Sequence, residues 1–131
     1  MTIRKASSAD IDAIKDLIRA NLDTLLPRED TDIEKNINFF FVKEVDGKIV
    51  GCCCLEIYSP KIAEIRTVAV AHSCRMNGYG SELVSAAIEE ANKSKIKEIM
   101  VVTSNPKFFE KLNFSTCLNE KYALFWNSNK S

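Results

Sequence analysis

The stretch that decides the fold is Arg75-Met76-Asn77-Gly78-Tyr79-Gly80, which follows the apolar run Val68-Ala69-Val70 and precedes an amphipathic segment. This order predicts that a strand ends, a glycine-containing turn follows, and a helix begins at about Gly78. The first turn of a helix leaves backbone N–H groups unpaired and carries the positive end of the helix dipole. Two glycines keep side chains away from those groups, so a phosphate can approach them closely, and Arg75 adds a cation. The stretch therefore predicts an anion-binding loop, although glycines that only shape a turn give part of the same pattern.

Length and composition indicate one enzyme-sized domain that covers residues 1–131. Hydrophobic residues make up 46% of the chain and charged residues 27%, which is typical of a globular protein. Eighteen basic residues balance eighteen acidic ones, so no overall field favours nucleic acid or an anionic membrane. No apolar run has the length of a membrane span, and the N-terminus lacks the apolar core of a signal peptide. We expect a cytoplasmic protein without a nucleic-acid or membrane partner.

Five cysteines raise the question of a metal or a thiol nucleophile. Cys52, Cys53 and Cys54 are consecutive in a strand-like run, so alternate side chains face opposite ways. Disulfides and tetrahedral zinc sites need spaced ligands, and His72 is the only histidine. We therefore expect small buried thiols in a reducing compartment and no metal, with a cysteine nucleophile as the weaker alternative.

Periodicity along the chain predicts an α+β protein with a mixed, twisted sheet of about 6–7 strands and about four helices. Ser7 and Asp10 stand at capping-box positions, and Asp46-Gly47 is a hairpin turn. The predicted strands cover residues 2–5, 39–42, 48–58, 62–70 and 97–103, with two more in 113–127. The predicted helices cover residues 7–22, 31–37, 81–92 and 106–112.

The spacing Arg-x-x-Gly-x-Gly directly after Val-Ala-Val resembles the acetyl-CoA pyrophosphate loop of the GCN5-related N-acetyltransferase (GNAT) family. Residues 108–114 look like the family segment that usually ends in Lys-Leu-Gly-Phe, with Asn113 in place of the glycine. Asparagine adopts a left-handed backbone better than most residues, so the replacement is tolerable. The resemblance implies the single-domain GNAT fold with acetyl-CoA as co-substrate. It assigns cofactor binding to Val68, Val70, Arg75, Met76, Asn77, Gly78, Tyr79, Gly80 and Ser81.

Other stretches resemble the amino-acid N-acetyltransferases that make N-acetylglutamate. They are Leu25-Leu26-Pro27-Arg28, residues 41–44 through 51–52, Ala63-Glu64-Ile65-Arg66 and Pro106-Lys107-Phe108-Phe109. This resemblance implies direct acetyl transfer in a ternary complex to a small amino acid, with glutamate as the first acceptor, and a role in arginine biosynthesis. Two alternatives stay open: an acetyltransferase for a polyamine, drug or protein amine, and a CoA-sensing module without catalysis. The implied partner is a small-molecule amine, and a homodimer is compatible with the family.

Glu64 is the candidate general base. It lies four residues before Val68, so strand alternation predicts that both side chains share a face and that Glu64 looks toward the reacting end of the cofactor. A carboxylate there can take the proton of an ammonium group. The alternative is a solvated glutamate or an ion-pair partner for Arg66. Phe109 stands where many acetyltransferases have a tyrosine that protonates the leaving thiolate, so that proton donor is unassigned.

Arginine suits bidentate binding of the carboxylate that an amino-acid substrate would carry. By the resemblance, Arg28 matches the family's α-carboxylate arginine, although a surface arginine in the Pro-Arg-Glu-Asp turn is a serious alternative. Arg66 and Thr67 lie beside the proposed base and are expected to line the pocket. Ser104 and Asn105, which stand in the turn where relatives often have an arginine, are two further candidate substrate-binding residues. That departure leaves the second substrate open.

Overall fold

The computed structural model describes residues 3–116, 124 and 126. Its strands are β1 (Ile3–Lys5), β2 (Phe40–Val45), β3 (Lys48–Ile57), β4 (Ile62–Val70) and β5 (Glu98–Met100). Its α-helices are α1 (Ile11–Ala20), α2 (Asp30–Lys35), α3 (Tyr79–Lys93) and α4 (Pro106–Glu110). Short 3-10 turns cover Ser8–Asp10, Ile37–Phe39 and His72–Cys74.

The five strands form one mixed sheet in the order β1-β2-β3-β4-β5. β1 to β4 pair antiparallel, and β5 is parallel to β4 because α3 carries the chain back between them. The α+β GNAT fold is confirmed, with five strands in the described part of the chain. Two further strands were predicted within residues 113–127. Residues 113–116 form no strand, and most of residues 117–127 lie outside the described part of the chain.

Local sequence signals account for several of these elements. Asp10 accepts a hydrogen bond from the backbone N–H of Ser7 at 2.8 Å, which completes the predicted capping box. Asp46 and Gly47 both have positive φ, at 52° and 77°, as a tight hairpin turn requires. Asn113 has φ of 71°, so the predicted left-handed asparagine is confirmed.

Two apolar clusters cover the two faces of the sheet. The first lies between the sheet and α3 and includes Cys53, Ile65 and Leu83. The second lies on the α1 side and includes Ile14 and Cys52. These two clusters define the α3 face and the α1 face of the sheet.

A bulge in β4 decides which face each site residue reaches. Cys54 pairs with Arg66 and Cys52 with Ala69, so β4 has one more residue than β3 over this stretch. The irregular residue is Thr67, whose φ is 60°, unusual for a β-branched side chain.

The extra residue shifts the alternation of side chains along β4. Ile65 and Val68 both pack on the α3 face, whereas Arg66 and Ala69 lie opposite α1-face cysteines. Glu64, two residues before Arg66, therefore lies on the α1 face. The prediction that Glu64 and Val68 share a face is wrong, because simple alternation does not hold across a bulge.

β4 and β5 pair only over Ile62–Glu64 and Glu98–Met100. Beyond Glu64, the edge of β4 that faces β5 therefore has no strand partner among the described residues. This free edge includes the backbone of Val68 and Val70. An extended ligand can hydrogen-bond there as a further strand would.

The cysteines Cys52, Cys53 and Cys54 are fully buried, as predicted, and alternate between the two faces. Burial raises the pKa of Cys52 to about 12 and that of Cys54 to about 11. Within residues 3–116, 124 and 126, no group of three or more His, Cys, Asp or Glu side chains is arranged for a metal ion. In the same part of the chain, no helix combines the length and apolar character that a bilayer span requires.

Candidate active site

The predicted anion loop leads into the start of α3, where backbone N–H groups are left without partners in the helix. Gly78 is the left-handed N-cap of α3, with φ of 78°. The N–H of Glu82 bonds to the carbonyl of Gly78 at 3.1 Å, which is the first turn of the helix. The amides before Glu82 therefore have no acceptor inside the helix and point past its N-terminus. They belong to Tyr79, Gly80 and Ser81.

Gly80 is confined by its neighbours as well as by the loop. A Cβ built on it would lie 3.3 Å from Cζ of Phe108 and 4.0 Å from Cγ2 of Val70. A side chain here would press against the ring of α4 and stand beside the free amides. The glycine thus keeps α3 close to α4 and leaves the amides accessible to an anion.

Three residues shape the loop in front of these amides. Arg75 is exposed and donates from Nη2 to Oδ1 of buried Asn21 at 2.5 Å, which holds its guanidinium near the end of α1. Asn77 donates to the carbonyl of Cys74 at 2.9 Å. Met76 has φ of 72° and is fully exposed. Backbone donors and the positive end of the helix dipole lie at the start of α3, and Arg75 adds a cation to the same loop, an arrangement that fits the pyrophosphate of a coenzyme.

A separate pocket of about 220 Å³ opens on the α1 face of the sheet. It lies between α2 with its following turn and the β3–β4 hairpin. The lining residues are Asp32, Asn36, Phe39, Glu56, Ile57, Tyr58 and Arg66.

Arg28 lies behind this pocket and is not a surface residue, since only 2% of its side chain is exposed. Its Nε donates to Asp32 at 2.7 Å, its Nη1 to Thr67 Oγ1 at 3.0 Å, and its Nη2 to Glu56 at 3.0 Å. The guanidinium also stands 5.3 Å from the centre of the Phe40 ring. Each nitrogen of the guanidinium therefore has a partner, and the alternative of a surface turn arginine is wrong.

Arg66 is the arginine that reaches the pocket wall. Its Nη1 donates to both carboxylate oxygens of Glu56, at 2.9 and 3.1 Å. Its side chain is 37% exposed. Among the described residues only Nη1 is engaged, so Nη2 and Nε are left for a ligand.

Glu64 pairs with a tyrosine and not with Arg66. Tyr58 donates its hydroxyl proton to Glu64 at 2.5 Å and also lies 3.0 Å from Glu56. Burial of the phenol end, together with the carboxylates of Glu64 and Glu56, raises the pKa of Tyr58 well above its usual range. Tyr58 therefore stays protonated at neutral pH and ties Glu64 to the pocket.

Of the seven residues that line the pocket, only Arg66 was predicted from the sequence, and the polar residues Asp32, Glu56 and Tyr58 are among those that were missed. Glu56 and Tyr58 continue the α1-face alternation of β3, and Glu56 pairs with Glu64 in register. The strand break at Ser59-Pro60 is a hairpin signal in the sequence. A hairpin there places Glu56 and Tyr58 beside the start of β4, so it could have indicated both residues.

The remaining predicted residues lie elsewhere. Thr67 does not line the pocket as predicted, because it is the bulge residue of β4 and its hydroxyl accepts from buried Arg28. Ser104 and Asn105 are exposed in the turn before α4 and do not line the pocket. Phe109 is buried and packs edge-on against Phe108 and Phe114, with ring centres 4.9 and 5.5 Å away. Its position is a packing site, consistent with the absence of a proton donor there.

Comparisons with known proteins identify the family of this chain. The model of the acetyltransferase (GNAT) family matches residues 11–114. An uncharacterised N-acetyltransferase of Chlorobaculum tepidum is 32% identical over 122 residues, which cover 92% of this chain and 79% of the relative. An amino-acid acetyltransferase of Mycobacterium tuberculosis is 28% identical over 123 residues, which cover 86% of this chain and 67% of the relative.

A solved structure resembles the fold of this chain. It is N-acetylglutamate synthase of Neisseria gonorrhoeae, complexed with coenzyme A and N-acetyl-glutamate, with a TM-score of 0.80 and 30% identity. The match covers 85% of this chain and 27% of that protein. The chain therefore belongs to the GNAT family and is an acetyl-CoA-dependent N-acetyltransferase.

Proposed function

We propose that this enzyme acetylates the amine of a free amino acid by direct transfer in a ternary complex. The observation that carries the proposal is the α1-face pocket, where unengaged donors of Arg66 lie near Glu64 on the same face of β4. An arginine suits the carboxylate of an amino acid, and a carboxylate suits the proton of its ammonium group. The volume of about 220 Å³ suits a small molecule.

In this proposal Glu64 is the general base. It accepts a proton from the ammonium group of the acceptor, which leaves the neutral amine that acyl transfer needs. Tyr58 fixes one oxygen of Glu64 through its hydroxyl. The other oxygen is then available to the acceptor, directly or through a water.

The proposed binding of the cofactor depends on the anion loop before α3 and on the free edge of β4. Acetyl-CoA supplies the acyl group as a thioester. We propose that the amides at the start of α3 hold its pyrophosphate with Arg75, and that backbone groups of Val68 and Val70 hold its pantetheine. A backbone N–H on the same edge can also stabilise the oxyanion.

The two arginines take different roles. We propose that Arg66 binds the α-carboxylate directly, since its free donors lie at the pocket wall. Arg28, the residue that matches the family's carboxylate arginine, has no free nitrogen and acts as a positioning residue for Glu56 and Thr67.

Direct transfer is favoured over an acetyl-cysteine route by the state of the strand cysteines. Burial raises the pKa of Cys52 to about 12 and that of Cys54 to about 11, so little thiolate forms at neutral pH. Both thiols also lie inside the packed α1-face cluster. They are poorly placed to attack a thioester.

The Mycobacterium relative is named an amino-acid acetyltransferase, which supports a free amino acid as the acceptor. Glutamate is the first amino acid to test, because the Neisseria structure contains its acetylated form. Glutamate acetylation would place the enzyme in arginine biosynthesis. A polyamine is the second candidate, because three carboxylates, those of Asp32, Glu56 and Glu64, surround the two arginines.

The test is acetyl-CoA turnover on amino acids, their α-methyl esters and spermidine, measured by thiol release and product mass. We expect acetylated amino acids, with little turnover of the esters. Turnover of spermidine or a peptide amine alone would replace the amino-acid proposal. CoA binding without any turnover would favour the CoA-sensing module.

A further inference from the structure

Glu56 is the hub of the pocket's polar network. Its Oε1 accepts from Arg28 Nη2 at 3.0 Å and from Arg66 Nη1 at 2.9 Å. Its Oε2 accepts from Arg66 Nη1 at 3.1 Å and lies 3.0 Å from the hydroxyl of Tyr58. The side chain is 16% exposed, so both oxygens are committed within the protein.

Glu56 pairs with both arginines, so it neutralises positive charge that a second substrate carboxylate would need. Each nitrogen of Arg28 already donates to Glu56, Asp32 or Thr67, and only 2% of the side chain is exposed, so Arg28 is screened from the pocket. Arg66 has already paired with Glu56 through Nη1 and keeps donors for one further carboxylate. No other cation lines the pocket among the described residues.

The balance of charges points the same way. The carboxylates of Asp32, Glu56 and Glu64 number three, and the guanidinium groups of Arg28 and Arg66 number two. The network is therefore net negative by one before an acceptor arrives. The α-carboxylate and the ammonium group of a bound amino acid cancel each other, whereas a side-chain carboxylate would add a further negative charge in a partly desolvated site.

We infer that Glu56 is a specificity-determining residue, which selects amino acids with an uncharged or basic side chain against those with a second carboxylate. The inference rests on the proposed function and refines it. Glutamate then becomes a poor acceptor here, although the solved Neisseria relative contains N-acetyl-glutamate. The discrimination comes from repulsion and from the lack of a free cation, not from pocket size.

Glutamate and glutamine test the inference because they differ in side-chain charge and hardly in shape. For the wild-type enzyme we expect kcat/KM for glutamine to exceed that for glutamate by at least about tenfold. Glu56→Gln keeps an acceptor oxygen toward the arginines but removes the charge. It should shift the glutamate-to-glutamine ratio toward glutamate by about tenfold or more.

Two further variants keep the result interpretable. Glu44→Gln is the matched control, since Glu44 pairs with Arg4 away from the pocket, and it should leave the ratio unchanged. Asp32→Asn removes the charge of a pocket carboxylate whose side chain is 42% exposed, and it keeps an oxygen that can accept from Arg28 Nε. It should shift the ratio in the same direction as Glu56→Gln.

The outcomes separate this inference from the proposal beneath it. A wild-type preference for glutamate over glutamine would overturn the role of Glu56. A glutamate-to-glutamine ratio that neither Glu56→Gln nor Asp32→Asn changes would overturn it as well. The proposal of an amino-acid acceptor would survive both results. If the enzyme acetylates no amino acid of the turnover panel, the proposed function fails and the inference fails with it.

Discussion

The two halves of β4, on either side of Thr67, have different tasks. The first half pairs with β5 and carries Arg66, which lines the pocket on the α1 face, and Glu64, which accepts a hydrogen bond from the pocket residue Tyr58. The second half has no described partner on its β5 side and packs Val68 and Val70 on the α3 face, beside the anion loop. One residue with positive φ separates them.

The difference shows how one strand can serve two substrates. Without the bulge, alternation would place the side chains of Glu64 and Val68 on one face, and the base would look into the α3 core. With it, the proposed base and acceptor site lie on one face, and the proposed cofactor site uses the strand's edge and the other face. The predictions below alter one half at a time.

The largest effect is expected from Glu64→Gln in the first half. If Glu64 removes the amine proton, kcat should fall about a hundred-fold to ten-thousand-fold, and the acidic limb of the pH–rate profile should change. The Kd for acetyl-CoA, measured by calorimetry, should hardly move, because the cofactor contacts belong to the second half. An unchanged rate and profile would assign the proton to another group.

Arg28→Ala should mainly reduce stability. Its guanidinium is buried and pairs with Asp32 and Glu56, so removing it leaves their charges uncompensated, at a cost of about 3–5 kcal/mol. Urea unfolding measures this loss. Arg19→Ala is the matched control, since Arg19 is 60% exposed in surface pairs and should cost no more than about 1 kcal/mol. Equal losses for the two variants would contradict the structural role of Arg28.

Gly80→Asp tests the second half. An added carboxylate beside the free amides repels a pyrophosphate, and its Cβ presses on Phe108, so CoA affinity should fall roughly a hundredfold. Ser85→Asp adds the same charge at an exposed site further along α3 and should change affinity little. Unchanged CoA binding by a folded Gly80→Asp variant would remove the loop from the cofactor site.

The smallest effect belongs to the junction itself. Thr67→Val keeps the shape of the side chain but removes the acceptor for Arg28 Nη1, at a cost of roughly 1.5–3 kcal/mol in unfolding free energy. Thr67→Ser retains the hydroxyl and should stay near wild type. If both variants unfold alike, the hydrogen bond from Arg28 does not stabilise the bulge.

The parts of this fold that could be predicted from the sequence depend on neighbours in the chain. The Ser7–Asp10 capping box, the Asp46-Gly47 hairpin and the helix start at Gly78 each need only a few consecutive residues. Asn113 was predictable for the same reason, because a left-handed backbone is a local property.

The parts that could not be predicted depend on pairing between strands. The bulge at Thr67 has no sequence signal, since threonine normally favours extended backbone, and it reversed the predicted face of Glu64 relative to Val68. Arg28 lies in a polar turn, and its burial follows from tertiary contacts with Thr67 and Glu56 on the neighbouring strands. Tertiary contacts therefore determine which residues form the candidate site, whereas local sequence signals determine where the helices and turns begin and end.

The central claim is that acceptor and acetyl-CoA are bound together, on opposite sides of β4, and react directly. Initial rates of thiol release, with acetyl-CoA and the preferred amino acid varied against each other, test it most directly. The account predicts double-reciprocal lines that intersect, as a ternary complex requires. Parallel lines, together with an acetylated enzyme isolated in the absence of acceptor, would contradict it.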